Sequence, residues 1–287
     1  MKDSIDRISA HKEQYPQLCH ISFFSKHYEE SGETNQLSLI ADQYFIFLDE
    51  NIELVGFSDT IIEKRVGLLN KYYNFIHNSN PSSPFLAHKQ FQQTLIEDFL
   101  FLLLKDYLSH FKNEFDEKDK INIGKIPLAD SHCFNVKSLT NFTNGRDIVI
   151  NENEQEFAIY RNLVLSVKED KKVQLQIPTV TIVARPIIDK STLDEVIAAA
   201  EKVKGGNPYS VFISVAETYD VPFDIDPIDS RIDQIYVLRK TNPKKLKTEW
   251  VEIDPNVVIR MFHKIKSHLE RPWSDVQTRL TEDGEII

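Results

Sequence analysis

With 287 residues, of which 41% are hydrophobic, the chain can bury one large core, or a core with an added module. Its formal net charge of −10 argues against an indiscriminate nucleic-acid binder, although a local basic face can attract phosphates while other faces stay acidic. No apolar run is long enough to span a membrane, so no membrane partner is expected.

The opening MKDSIDRISAHKEQYP lacks the apolar stretch of a signal peptide. Cys19 and Cys133 stand apart, without CxxC or Cys/His metal spacing, and read as free thiols in a reducing compartment. The expected location is therefore cytoplasmic. Residues 1–35 are polar and mixed, and end in a loop-like EESGETNQ. Two helical pieces follow between Gln36 and His77. Leu37, Ile40, Ala41 and Tyr44 keep helical period in the first, and Ile61, Ile62, Val66, Leu69 and Tyr73 in the second. NSNPSSP, at 78–84, is a turn or linker. This divides the chain into a mainly helical region, 1–84, and an α/β region, 85–287.

Phe85 to Phe115 is the strongest helix of the N-terminal half. Phe91, Leu95, Phe99, Leu102 and Leu103 line a stripe that FLFLLL widens almost all round, so the helix is buried on most sides. Glu97 and Asp98 lie within it. Asn113 to Lys120 is a charged linker. Residues 121–150 are loop-rich with short strands, and TNGRD is a turn. His132 and Cys133 are neighbours in poor geometry for joint catalysis and read as packing or loop residues.

Glu156 to Val167 and Val173 to Ala184 have strand composition and are joined by the short turn KEDKK, which implies an antiparallel hairpin. Ser191 to Lys204 reads as a helix. Ser191 and Asp194 have capping-box spacing, and Leu193, Val196, Ile197, Ala200 and Val203 recur at helical spacing. Gly205 and Gly206 are expected to end it with positive φ. Strands from Tyr209 to Ala216 and from Ile232 to Leu238 complete a βαβ unit, whose first two strands should be parallel. The last helix, 256–270, has Asp254 as N-cap and Pro255 at its first position. Its apolar side carries Val257, Val258, Met261, Phe262, Ile265 and Leu269. The tail turns acidic.

The segments IPTVTI, DKSTLDE, GNPYSVFISVAETYDV and SRIDQIYVLRK resemble the C-terminal core of the Bpu10I and BbvCI type of restriction endonucleases, within the PD-(D/E)xK superfamily. The resemblance implies an α/β fold: a restriction-endonuclease-like mixed sheet flanked by helices, after a helical N-terminal region. It also implies site positions. Glu156 matches the acidic residue that begins a core strand, Glu97 an acidic residue on the preceding helix, and Val183-Ala184-Arg185 the family's Glu-x-Lys. Such sites hold Mg²⁺ through hard oxygen ligands, and the ion activates water and stabilises phosphate charge. Valine offers no ligand. Arginine keeps a positive charge but almost never deprotonates, and its planar fork replaces an ammonium poorly. Glu156 alone is then the remaining metal ligand on these strands.

The densest cationic cluster is Arg239, Lys240, Lys244, Lys245 and Lys247. Lysines there would bind phosphates without reading sequence, and Arg231 or Gln234 could reach base edges. The bland alternative is a solvated charged face, with Arg231 ordering its own strand. Glu217 and Asp220 are expected to order a loop. GKIP and KGGNP are too short to cradle phosphates, and no Ser/His/Asp triad, Walker loop or dinucleotide glycine motif is present.

Three functions compete. The first is a DNA-binding subunit of a heterodimeric type II restriction endonuclease, weak or inactive alone because its Glu-x-Lys is replaced. Its partners would be double-stranded DNA and a homologous subunit, or a second copy. The second is an active Mg²⁺-dependent nicking subunit using Glu156, Glu97 and a relocated carboxylate such as Asp189. The third is a defence sensor that reuses the fold. Restoring the motif with Val183→Glu and Arg185→Lys is expected to rescue part of any cutting.

Overall fold

The computed structural model describes residues 10–31, 35–79, 89–114, 121–129, 152–168, 171–222, 224–240 and 250–270. Four helices come first: α1 (His20–Ser31), α2 (Asn35–Glu53), α3 (Asp59–Ser79) and α4 (Lys89–Glu114). Three strands follow, β1 (Ile121–Ala129), β2 (Glu152–Lys168) and β3 (Lys171–Ile188). The chain continues with α5 (Lys190–Gly206), β4 (Val211–Tyr219), β5 (Gln234–Val237) and α6 (Pro255–Glu270).

The five strands make one sheet in the order β1-β2-β3-β4-β5. The β1–β2 and β2–β3 pairs are antiparallel, and the β3–β4 and β4–β5 pairs are parallel. The expected hairpin and the expected parallel βαβ pair are therefore both present, in a mixed α/β sheet with flanking helices. The period-2 alternation of β3 separates two layers. Val180, Ile182 and Ala184 join the main core with the N-terminal helices and α6. Val183 faces the other way, packed with Val196, Ala200 and Val203 of α5 and Phe212 of β4. α4 lies on β3 and β1, while α6 packs on β5 and α3. The main core runs from Leu18 to Leu269, so apolar side chains from both sides of residue 85 share one cluster.

The α6 stripe is as expected. All six of its apolar side chains are buried, each contributing roughly 1.5–3 kcal/mol on transfer from water. Asp254 caps it, its carboxylate accepting from Asn256 N at 2.8 Å.

Three local expectations are corrected. His20–Ser31 is a helix rather than part of a polar loop, because Ile21, Phe23 and Phe24 are buried against the core. The N-cap of α5 is Asp189, which accepts from Thr192 N at 2.8 Å. The strand runs on to Ile188, and the helix starts two residues earlier than the Ser191 box suggested. Gly205 and Gly206 stay within α5 and the C-cap is Asn207. Among the described residues, the glycines with positive φ are Gly56 and Gly124. No helix among these residues is long and apolar enough to cross a membrane. The TNGRD turn, His132, Cys133 and the acidic tail lie outside the described residues.

Candidate active site

Phe157 of β2 pairs with Ile182 of β3, so Glu156 and Val183 follow directly from the same rung. Glu156 is 2% exposed. Two residues further along β3, Arg185 turns its fork onto that carboxylate. Its Nη2 donates to Oε1 at 2.8 Å and its Nη1 lies 3.5 Å from Oε2. Nη1 also donates to the Ala184 carbonyl at 2.9 Å. Burial pushes the Glu156 carboxyl up and Arg185 pulls it back down, leaving it above its ordinary value. The negative charge of Glu97 adds to the rise and Lys125 opposes it.

Those two residues form the second pair. Glu97, on α4, is 1% exposed. Lys125 Nζ, from β1, lies 2.8 Å from its Oε2, and Gln93 Nε2 donates to Oε1 at 3.1 Å. Burial alone would lower the Lys125 ammonium, but Glu97, then Cys19 and Glu156, hold it above its usual value. Four charges from α4, β1, β2 and β3 thus balance within one neighbourhood. Lys125 is the participant that sequence reasoning missed. Its only local signal is a single cation in a short apolar strand, and its role depends on the fold that brings β1 beside α4.

Asp98, next to Glu97, does different work. It accepts from Cys19 N at 2.5 Å, His20 N at 3.0 Å and the Tyr44 hydroxyl at 2.6 Å. Burial nonetheless pushes its carboxyl up to about 7. It ties the start of α1 to α4. Burial, with Asp98 and Glu97 beside it, also drives the Cys19 thiol far up, which makes it an inert thiol.

The donor set does not fit a Mg²⁺ ion. Val183 is fully buried in its apolar cluster. Glu156 and Glu97 each face a cation. Asp189 is occupied as the α5 cap, which answers the expectation of a relocated ligand there. Among the described residues, no group of three or more His, Cys, Asp or Glu side chains could hold a metal ion. A carboxylate at position 183 would also be buried without an assured partner, at a cost of several kcal/mol. The motif-restoring double change therefore carries a stability penalty that the sequence did not reveal.

Two residues of the expected basic cluster, Arg239 and Lys240, lie among the described residues, and each pairs with an acid. Arg239 is 3% exposed, which corrects its assignment to a DNA-facing surface. Its Nε donates to Glu217 Oε2 at 2.9 Å and its Nη1 to the Val251 carbonyl. The guanidinium lies 4.5 Å from the Tyr73 ring centroid and 3.9 Å from that of Trp250. Glu217 belongs to β4 and also accepts from the Tyr73 hydroxyl at 2.6 Å, so it is a buried partner rather than a loop-ordering residue. Lys240 pairs with Asp254. Arg231, half exposed, pairs with Glu201 at 2.9 Å, and Gln234 is exposed on β5. Lys244, Lys245 and Lys247 lie outside the described residues.

The hairpin, the parallel βαβ pair and the flanking helices make the mixed α/β sheet that the resemblance to restriction endonucleases implied. The family of the Bpu10I restriction endonuclease matches residues 89–251, more than half of the chain, and the chain belongs to that family. Among solved structures, the chain is similar to one described as the native BbvCI A2B2 tetramer at low resolution. That similarity covers 88% of this chain and 96% of that one, at 14% identity and a TM-score of 0.57, and it supports the fold. An acyl-CoA transferase from E. coli in a thioester complex with CoA matches 46% of this chain and 27% of that one, at 10% identity. Its TM-score of 0.17 carries no argument. No curated protein matches the chain.

Proposed function

We propose that the chain is a DNA-binding subunit of a heteromeric type II restriction endonuclease, weak or silent in hydrolysis on its own. The observation that carries this reading is the Arg185 fork on Glu156, beside a valine buried where a second acid would be needed. A guanidinium on the carboxylate supplies positive charge but no open coordination position. It can neither bind water nor lower its pKa as a metal ion does. A metal ion contributes several kcal/mol of transition-state stabilisation, and each ~1.36 kcal/mol is a factor of ten in rate. A chain without it is expected to cut orders of magnitude more slowly. Family membership supports a restriction-type role, and the similar BbvCI structure is an A2B2 assembly, which supports a partner subunit and leaves room for a second copy of this chain beside it.

One observation favours the active nicking reading: both acids, Glu97 and Glu156, persist and feel each other's charge. Incubating the purified chain with supercoiled plasmid and Mg²⁺ or Mn²⁺, alone and with a homologous subunit, separates the two. The silent-subunit reading expects duplex binding without nicking by the chain alone, and cutting once the partner is added. Nicking by the chain alone that Glu156→Ala abolishes would establish the active reading. A chain that neither binds nor cuts would fit the defence-sensor alternative.

A further inference from the structure

The β2–β3 hairpin outlasts its neighbours. β1 pairs with β2 up to Arg161, and β4 pairs with β3 from Val180 onward. Past those rungs β2 and β3 stay paired with each other, out to Lys168 and Lys171. Among the described residues, 162–168 and 171–177 therefore form a two-stranded arm, roughly 24 Å long at ~3.4 Å per residue. A ribbon of two strands is marginal in water unless an apolar face is packed against something. The register divides this arm into two rows. Leu163 stands opposite Leu175, Leu165 opposite Val173, and Arg161 opposite Ile177. The alternate rungs pair Asn162 with Gln176, Val164 with Gln174 and Ser166 with Lys172. Directly opposed residues share a face and successive ones alternate. One face of the arm thus carries Leu163, Leu165, Val173, Leu175 and Ile177, while the other is largely polar. Along β2 the apolar face prolongs the row of Phe157 and Ile159, both in the main core. At the root of the arm that row meets water, for Ile177 is 37% exposed and Leu163 half-buried.

We propose that the apolar face of this arm docks on the same face of a second copy's arm, as a two-fold symmetric dimer. A face that is apolar beyond Arg161 is complementary to itself, which is the condition for an isologous contact. It offers a charged partner nothing to pair with. At roughly 100 Å² of apolar surface per side chain, the residues of two copies together approach the ~1,000 Å² that a specific interface needs. Neither DNA binding nor hydrolysis is required for this contact.

The test is sedimentation velocity of the full chain over a range of concentrations. The wild type should run as a dimer. Leu165→Glu and Leu175→Glu should each run as a monomer at the same loading, with the far-UV circular dichroism and urea midpoint of the wild type. Val164→Glu and Gln174→Glu, on the alternate rungs, should leave the dimer in place. Mixing Leu165→Glu chains with Leu165→Lys chains should restore a dimer, because the two-fold brings opposite charges into one interface. A wild type that is monomeric, or that associates only with a homologous subunit, would overturn the second copy as occupant. So would a dimer that survives Leu165→Glu, one lost equally in Val164→Glu, or a mixture that stays monomeric. Unfolding caused by Leu165→Glu would show that the chain itself covers this face, and would overturn the proposal too. Duplex binding is read separately by fluorescence anisotropy: a dimer that binds no duplex keeps the arm as its contact and removes only the DNA-binding reading.

Discussion

Replacing Arg239 by methionine keeps an unbranched stem of similar reach and deletes the guanidinium. Glu217, 5% exposed, would then keep the Tyr73 hydroxyl on Oε1 at 2.6 Å but lose the guanidinium donor that now reaches Oε2 at 2.9 Å. Breaking a buried ion pair from one side costs about 3–5 kcal/mol, because the remaining charge is left in low dielectric. The contacts with the Tyr73 and Trp250 rings add about 0.5–2 kcal/mol each. These terms overlap, since one group makes all of the contacts, and a net loss of about 4 kcal/mol is expected. That is a large part of the ~5–15 kcal/mol that holds a typical fold. Urea unfolding followed by far-UV circular dichroism measures it without relying on Trp250, which sits in the cage. Adding Glu217→Gln removes the stranded charge and should restore about 2 kcal/mol, a coupling that the double-mutant cycle isolates. A loss below ~1 kcal/mol for Arg239→Met, or no recovery in the double variant, would refute the claim that this arginine is a buried structural cation.

Asp98→Ala should destabilise the chain by roughly 3 kcal/mol in the same assay. It strands the Cys19 and His20 amides and the Tyr44 hydroxyl, each unsatisfied donor costing about 1–3 kcal/mol, partly offset by relief of a buried carboxyl. A change under ~1 kcal/mol would show that α1 does not depend on this anchor. His20 predicts a pH dependence. Burial pushes its imidazole down from 6.5 to about 3, so the folded chain binds the proton less readily than the unfolded one. Its contribution is full above about 6.5 and is lost as pH falls towards 3. His20→Gln should flatten the fall of the urea midpoint between about pH 7 and 5; an unchanged slope would count against a neutral buried ring. Asp98 acts in the opposite sense. Its carboxyl is raised from 3.8 to about 7, so its contribution is fullest in acid and declines as pH climbs through that window. Asp98→Asn should therefore make acid destabilisation steeper than in the wild type, and a shallower profile would reverse the assignment.

The parts of the fold that repeat along the chain could be read from it. Leu37, Ile40, Ala41 and Tyr44 lie on one buried face of α2 because helical period alone places them there. The β3–α5–β4 unit followed from two apolar runs separated by one amphipathic stretch. α1 was lost because its charged positions were weighed above Ile21, Phe23 and Phe24, three apolar side chains within about one turn that hold the helix against the core. The cap of α5 shifted to Asp189 because strand length depends on pairing with β4, where Ile188 still sits opposite Tyr219, and pairing is not a local property.

The same division explains the site. Glu97, Glu156 and Arg185 lie outside the four segments that carry the resemblance most densely, and each was placed by position relative to them, which let it be named before the fold was known. What could not be named was the partner each side chain would find. Arg239 heads the densest cationic run, whereas Lys125 is a single cation in a short apolar strand, so charge density along the sequence ranks the first above the second. Folding sends the first between Tyr73 and Trp250, where Glu217 takes its charge, and sets the second 2.8 Å from buried Glu97. Charge counted along the chain therefore does not show which cations stay free, because each of these two is matched to a buried acid that is distant in sequence.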